Sequence, residues 1–131
     1  MLQVTQLTYQ YPDTTHPVLK EISFDMAPGQ VLVVAGGTGA GKSTLCYALA
    51  GFVPHFFNGE IEGDVTLESR SMRQSSLGDW VKQVGLVLQN PFNQISGARM
   101  TVFEEVAFGL EHLGVPRSEM GQRVREVLPQ L

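Results

Sequence analysis

The sequence predicts an α/β fold arranged around one glycine-rich loop. Three observations carry that prediction. Val31-Leu32-Val33-Val34-Ala35 is a continuous apolar run of the kind that forms a strand buried on both faces, and Val84-Gly85-Leu86-Val87-Leu88 is a second, near-continuous one. Between the first run and residues 44–50, which read as a helix, stands Gly36-Gly37-Thr38-Gly39-Ala40-Gly41-Lys42-Ser43-Thr44. Two glycines with four residues between them, followed by Lys and Ser, fit a phosphate-binding loop when a strand precedes and a helix follows.

Charge explains why that pattern suits phosphate. Backbone N–H groups of a glycine-rich loop can converge into a concave anion site. The helix behind the loop adds the positive end of its dipole. Glycine tolerates the left-handed dihedrals the loop needs and leaves room for close approach. In such a loop Lys42 reaches the terminal phosphates and Ser43 offers a hydroxyl to Mg²⁺. Thr44 is expected to bond a phosphate nearer the sugar.

The remaining elements follow in order. Residues 2–11 alternate loosely, with Val4, Thr5, Leu7, Tyr9 and Tyr11, and predict a strand. Residues 12–17, with Pro at both ends, predict a loop. Ile22, Phe24 and Met26 alternate with Glu21, Ser23 and Asp25, as a half-buried strand requires. Ala27-Pro28-Gly29-Gln30 has Pro then Gly where a type II turn prefers them. Residues 51–59 form a loop rich in aromatics. Residues 60–68, with Ile61, Val65 and Leu67 around Gly63, predict a strand broken by a bend, residues 69–76 a polar loop, and residues 77–83 one short helix. Thr101 and Glu104 form a capping box for a helix over 101–113, with Phe103, Val106, Leu110 and Leu113 on one stripe and Gly114 as its stop. Ser118 is expected to cap a last helix carrying Met120, Val124, Val127 and Leu128 on one face, ended by Pro129.

Composition narrows the function. The 131 residues are 43% hydrophobic and 17% charged, which suits a globular chain and not a disordered one. No apolar run approaches the length that spans a membrane. The N-terminus lacks a basic stretch followed by an apolar one, so no signal peptide is expected. The single Cys46 permits no internal disulfide and is expected to be a small buried residue, in a cytoplasmic setting. A net charge of −4 with no long basic run argues against nucleic acid as a partner. His16, His55 and His112 have no metal-ligand spacing. Glu104 is accounted for by its cap and Glu105 by a solvated face. Phe56 and Phe57 read as loop packing before partner contact.

With these segments placed, the chain resembles the N-terminal half of an ATP-binding-cassette (ABC) ATPase. Tyr11, the loop 36–44, and Gln89 at the end of the second apolar run carry the resemblance. Gln89-Asn90-Pro91-Phe92-Asn93-Gln94-Ile95, then Thr101-Val102-Phe103-Glu104-Glu105-Val106-Ala107-Phe108-Gly109-Leu110-Glu111, is similar to a narrower group. That group is the ATPases of energy-coupling factor (ECF) importers, which take up vitamins and metal ions. The resemblance implies a phosphate-loop NTPase fold of ABC type, with an N-terminal antiparallel β subdomain and the start of a helical subdomain. It implies a nucleotide-binding core and β subdomain over about 1–90, and a glutamine loop and helical subdomain over about 89–131. It implies ATP and Mg²⁺ as ligands. Tyr11 would stack on adenine; Gly37, Thr38, Gly39, Ala40, Gly41, Lys42, Ser43 and Thr44 would hold the phosphates; Ser43 and Gln89 would serve Mg²⁺; Lys42 and Gln89 would act in catalysis. The implied partners are a transmembrane transporter subunit and a second ATPase subunit or domain, with the chain peripheral on the inner face of the membrane.

The sequence departs from the family pattern in three places. It contains no Leu-Ser-Gly-Gly-Gln signature, no apolar run ending in Asp then Glu, and no later switch histidine. The resemblance therefore implies a truncated piece, inactive by itself, whose family places further strands between the two apolar runs. A sheet without those strands is expected to show an open gap, with unpaired backbone groups costing roughly 1–3 kcal/mol each when buried. Two other readings stay open: a non-catalytic nucleotide-binding fragment, and another phosphate-loop NTPase such as a small kinase or GTPase. No Asn-Lys-x-Asp guanine motif occurs.

Overall fold

A computed structural model describes residues 1–130 of the chain. Backbone contacts divide it into two units, Met1–Leu86 and Val87–Leu131. The first unit holds an antiparallel sheet of four strands: β1 (Leu2–Gln10), β2 (Leu19–Met26), β3 (Glu60–Leu67) and β4 (Arg70–Ser71), in the order β2-β1-β3-β4. β1 lies in the middle, so Val4 pairs with Phe24 on one side and Val65 on the other. The break expected at Gly63 does not occur: β3 runs straight through it, and the irregularity lies in the pairing, where Gln6 and Leu7 of β1 stand opposite Gly63 alone. Gly63 has φ +76, and an added Cβ would lie 2.3 Å from the Thr5 carbonyl oxygen, so a side chain cannot enter without moving backbone. Near the irregular register, the Ser23 hydroxyl accepts the Gln6 N–H and the Thr8 hydroxyl accepts the Glu21 N–H. Side chains thereby serve amides whose ladder is interrupted.

Helices α1 (Lys42–Leu49), α2 (Phe52–His55) and α3 (Leu77–Trp80) complete this unit. Leu45 and Ala48 of α1, Val53, Met72 and Trp80 join Val4, Leu7, Tyr9, Leu19 and Val65 in one core. Trp80 is buried and its Nε1–H donates to the Leu49 carbonyl at 2.9 Å. Gly51, at φ +79, passes so close that an added Cβ would lie 2.8 Å from the indole. Ser76 caps α3 by accepting from the Asp79 N–H. The Pro28-Gly29 turn forms as expected, with Gly29 at φ +80 and the Gln30 N–H bonded to the Ala27 carbonyl at 3.2 Å.

Four expectations for this unit and its end are corrected. Residues 31–35 are not a strand and not buried: Val31 is 89% exposed and Val33 82%. Residues 84–88 are not a strand either, and Val87 is exposed. An apolar run signals that burial would be favourable, whereas a strand also needs a ladder to hold it, and the four-stranded sheet includes neither run. Cys46 is exposed, because α1 turns Leu45 and Ala48 inward and leaves position 46 outside. The polar loop 69–76 contains the short β4 and the core residue Met72.

The second unit contains a 3₁₀ turn at Pro91–Gln94 and helices α4 (Val102–His112) and α5 (Arg117–Val127). Asn90 starts the turn, its side chain accepting the Phe92 N–H at 3.1 Å. The capping box of α4 is present. The Thr101 hydroxyl accepts the Glu104 N–H at 3.2 Å, and the Glu104 carboxylate accepts from the Met100 N–H at 3.3 Å, one residue further back than the cap itself. Gly114, at φ +74, ends α4: its N–H reaches the Glu111 carbonyl and the Val115 N–H reaches Leu110, a Schellman pair. Of the stripe on α4, Val106 and Leu110 are half-buried while Phe103 and Leu113 are exposed. Two further corrections fall here. Pro116 takes the cap position of α5, so Ser118 sits within its first turn. Glu105 is engaged: its carboxylate accepts from both the N–H and the hydroxyl of Ser96.

Candidate phosphate site

The glycine loop turns into α1 at Gly41, which caps the helix in the left-handed region at φ 87. Gly41 is favoured as glycine on two counts. Its dihedral disfavours a side chain, and an added Cβ would lie 3.1 Å from the Val18 carbonyl oxygen and 3.2 Å from the Val18 side chain. Across the loop, a Cβ on Gly36 would meet Ala40 at 3.3 Å. Around Gly37 and Gly39 the space is open. The first helical bond runs from the Leu45 N–H to the Gly41 carbonyl at 2.8 Å. No side chain caps α1 and no acidic residue lies in its first turn. The positive end of its dipole therefore faces the loop uncompensated.

Lys42 folds over the loop. Its ammonium donates to the carbonyls of Gly36 at 2.8 Å and Gly37 at 2.7 Å. The cation is thus held by two carbonyl dipoles. A cavity of about 160 Å³ is lined by Val18, Gly39, Ala40, Gly41, Lys42, Ser43 and Thr44. Ser43 is exposed in the first turn. This donor set, an ammonium, a hydroxyl and helix-start amides with no competing carboxylate, fits a phosphate chain and the cation that accompanies it.

Tyr11 stands just past β1 and is joined to the loop directly. Its hydroxyl lies 3.2 Å from the Thr44 hydroxyl. Its ring meets Tyr9 edge-on at 4.8 Å and Phe57 edge-on at 6.3 Å. Thr44 is nearly buried and this contact occupies its hydroxyl, a different engagement from the phosphate contact expected of it. Tyr9 is fully buried and its hydroxyl donates to the Asn58 carbonyl. Burial holds its phenol above the usual tyrosine range, with the neighbouring Tyr11 adding to the shift.

Of the residues singled out in the sequence, positions 37–44 and Tyr11 come together within the first unit. Gln89 belongs to the second unit, exposed and directly before the Asn90 turn. Sequence reasoning missed Val18 as a wall of the cavity, and the aromatic support of Tyr11. Phe57, half-buried, also contacts Tyr47 at 5.2 Å and Phe56 at 5.2 Å between ring centroids. The density of aromatics in residues 51–59 was the available signal. Loop packing is the role of Phe57, as expected, while Phe56 is 67% exposed. Among the described residues no group of His, Cys, Asp or Glu forms a metal cluster, and no helix is long and apolar enough to cross a membrane.

Residues 19–131 match the family described as ABC transporter. The chain is 40% identical to the energy-coupling factor transporter ATP-binding protein EcfA1 of Lacticaseibacillus paracasei, over 100% of this chain and 45% of that one. It is 38% identical to EcfA1 of Lactiplantibacillus plantarum, again over 100% of this chain and 45% of the relative. Among solved structures it is similar to cbiO1 of Clostridium perfringens, described as part of the ABC transporter complex cbiONQ. That match has a TM-score of 0.77 and 30% identity, over 98% of this chain and 49% of the other. The chain spans about half the length of the curated relatives it matches.

Proposed function

The chain belongs to the ABC transporter family, and we propose that it supplies the ATP-binding half-site of a transport ATPase. The observation that carries this reading is the loop itself: Gly41 in its left-handed cap, Lys42 poised on the Gly36 and Gly37 carbonyls, and the uncapped start of α1. Lys42 and the loop amides would hold the phosphates of ATP, Ser43 would serve Mg²⁺, and Tyr11 would offer its ring to adenine. Gln89 would assist Mg²⁺ or the attacking water, since an amide can orient water without carrying charge. When bound, Mg²⁺ supplies charge neutralisation on the transferred phosphoryl group.

In a longer protein of this family, hydrolysis would energise import of a vitamin or metal ion through a transmembrane subunit. A second ATPase subunit or domain would complete each site, and the chain would sit at the inner face of the membrane through its partner. The naming of two relatives as ECF ATPases supports that finer reading.

The test is equilibrium binding of a fluorescent ATP analogue with Mg²⁺. Micromolar binding by the chain, weakened about tenfold or more in Lys42→Ala, is expected, since charge-assisted bonds are worth about 1.5–3 kcal/mol. A folded chain that binds no analogue would refute the reading. The 131 residues hold no Asp-Glu pair after an apolar run. Steady phosphate release by the chain alone is therefore not expected, and release abolished by Lys42→Ala would overturn that.

A further inference from the structure

We infer that Phe57 is a positioning residue for the base platform, and that with Thr44 it locks the Tyr11 ring to the phosphate loop before any nucleotide arrives. The inference rests on the reading of Tyr11 as the adenine platform and adds how that ring is held. A tyrosine just past a strand end can swing about its side-chain torsions. Here three contacts restrain it: the Thr44 hydroxyl at 3.2 Å from its hydroxyl, Tyr9 edge-on at 4.8 Å, and Phe57 edge-on at 6.3 Å. Tyr9 is a fully buried core residue. Phe57 comes from a distant loop and is itself fixed.

The loop bearing Phe57 is clamped at both ends. The Phe57 N–H donates to the Phe52 carbonyl at 3.1 Å and the Asn58 N–H to Pro54 at 2.9 Å. The Asn58 carbonyl accepts the buried Tyr9 hydroxyl. Gly59 lies against the end of β1 so closely that an added Cβ would stand 2.3 Å from the Gln10 carbonyl oxygen. Tyr47 on α1 backs Phe57 at 5.2 Å. Since α1 begins in the phosphate loop, the path Thr44–Tyr11–Phe57–Tyr47 closes back on the same helix. Base platform and phosphate site are one preorganised unit. Preorganisation improves affinity by removing the cost of ordering a side chain on binding.

The consequence is separable from phosphate binding. Phe57→Leu should weaken ATP about two- to tenfold, the range expected for one aromatic contact, and leave inorganic tripolyphosphate unchanged. Phe57→Tyr, which keeps the ring, should restore ATP affinity. Tyr11→Phe, which keeps the platform and loses the tie to Thr44, should give a smaller drop confined to ATP. Isothermal titration of the full chain with each ligand reads these ratios, and unchanged tripolyphosphate binding reports that each variant is folded. Loss of both ligands in parallel in Phe57→Leu, or loss of neither, would overturn the inference. If Tyr11→Ala keeps the wild-type ratio of ATP to tripolyphosphate affinity, the platform reading itself fails, and this inference with it. If the unaltered chain binds neither ligand, the nucleotide reading fails as a whole.

Discussion

β1 and the run at residues 31–35 ask for the same thing in sequence and receive opposite outcomes. β1 alternates polar with apolar residues and is the less hydrophobic of the two, yet Val4, Leu7 and Tyr9 are buried and both its edges are paired. Val31-Leu32-Val33-Val34 is wholly apolar and lies at the surface, outside the sheet. Hydrophobicity measures how much would be gained by burial. Strand formation depends on a neighbour whose backbone can complete the ladder. β1 has β2 within a short loop on one edge and β3, far along the chain, on the other, so both its ladders are completed.

The comparison can be broken by substitution, with urea denaturation as the readout. Leu7→Ala, deep in the sheet, should cost about 2–5 kcal/mol, while Val33→Ala on the exposed run should stay within about 0.5 kcal/mol. A large loss at Val33 would show that the run is buried after all. Trp80→Phe should cost about 1–3 kcal/mol, because it leaves the Leu49 carbonyl without its donor. Gly63→Ala should cost more than about 1 kcal/mol, since the left-handed dihedral and the Thr5 carbonyl both oppose a side chain. Gly85→Ala, in the second run with nothing within 4 Å of its added Cβ, should be nearly neutral beside it.

The smallest effect concerns pH. The Ser76 hydroxyl, and then Lys82, hold the exposed Asp79 carboxyl below the usual carboxylate value. A lowered folded value stabilises above the unfolded value, and the benefit disappears as pH falls through the folded one. Asp79→Asn should therefore lower the thermal midpoint slightly at neutral pH, and the difference should vanish in acid. A difference that persists in acid would assign the effect to the cap geometry and not to the charge. The adjacent Lys82 pair is solvent-exposed and adds little.

Much of the fold was legible because its signals are local. The capping box at Thr101 and Glu104, the stop at Gly114 and the Pro28-Gly29 turn each depend on a few adjacent residues and their dihedrals. The phosphate loop was legible for the same reason, since the left-handed cap at Gly41 and the reach of Lys42 are encoded within one short stretch. What escaped was non-local. Whether residues 31–35 are paired, whether Cys46 faces in or out, and which aromatic braces Tyr11 depend on elements far away in sequence. Ser118 is not the cap because Pro116, two residues earlier, already supplies the non-helical backbone that starts α5.

The contact between Gly41 and Val18 has a bearing on how such a sequence can change over time. What stands 3.1 Å from the missing Cβ is a peptide oxygen, with the Val18 and Leu19 side chains only slightly farther away. Trimming those side chains would leave the carbonyl contact and the left-handed dihedral in place, and both still weigh against a side chain at 41.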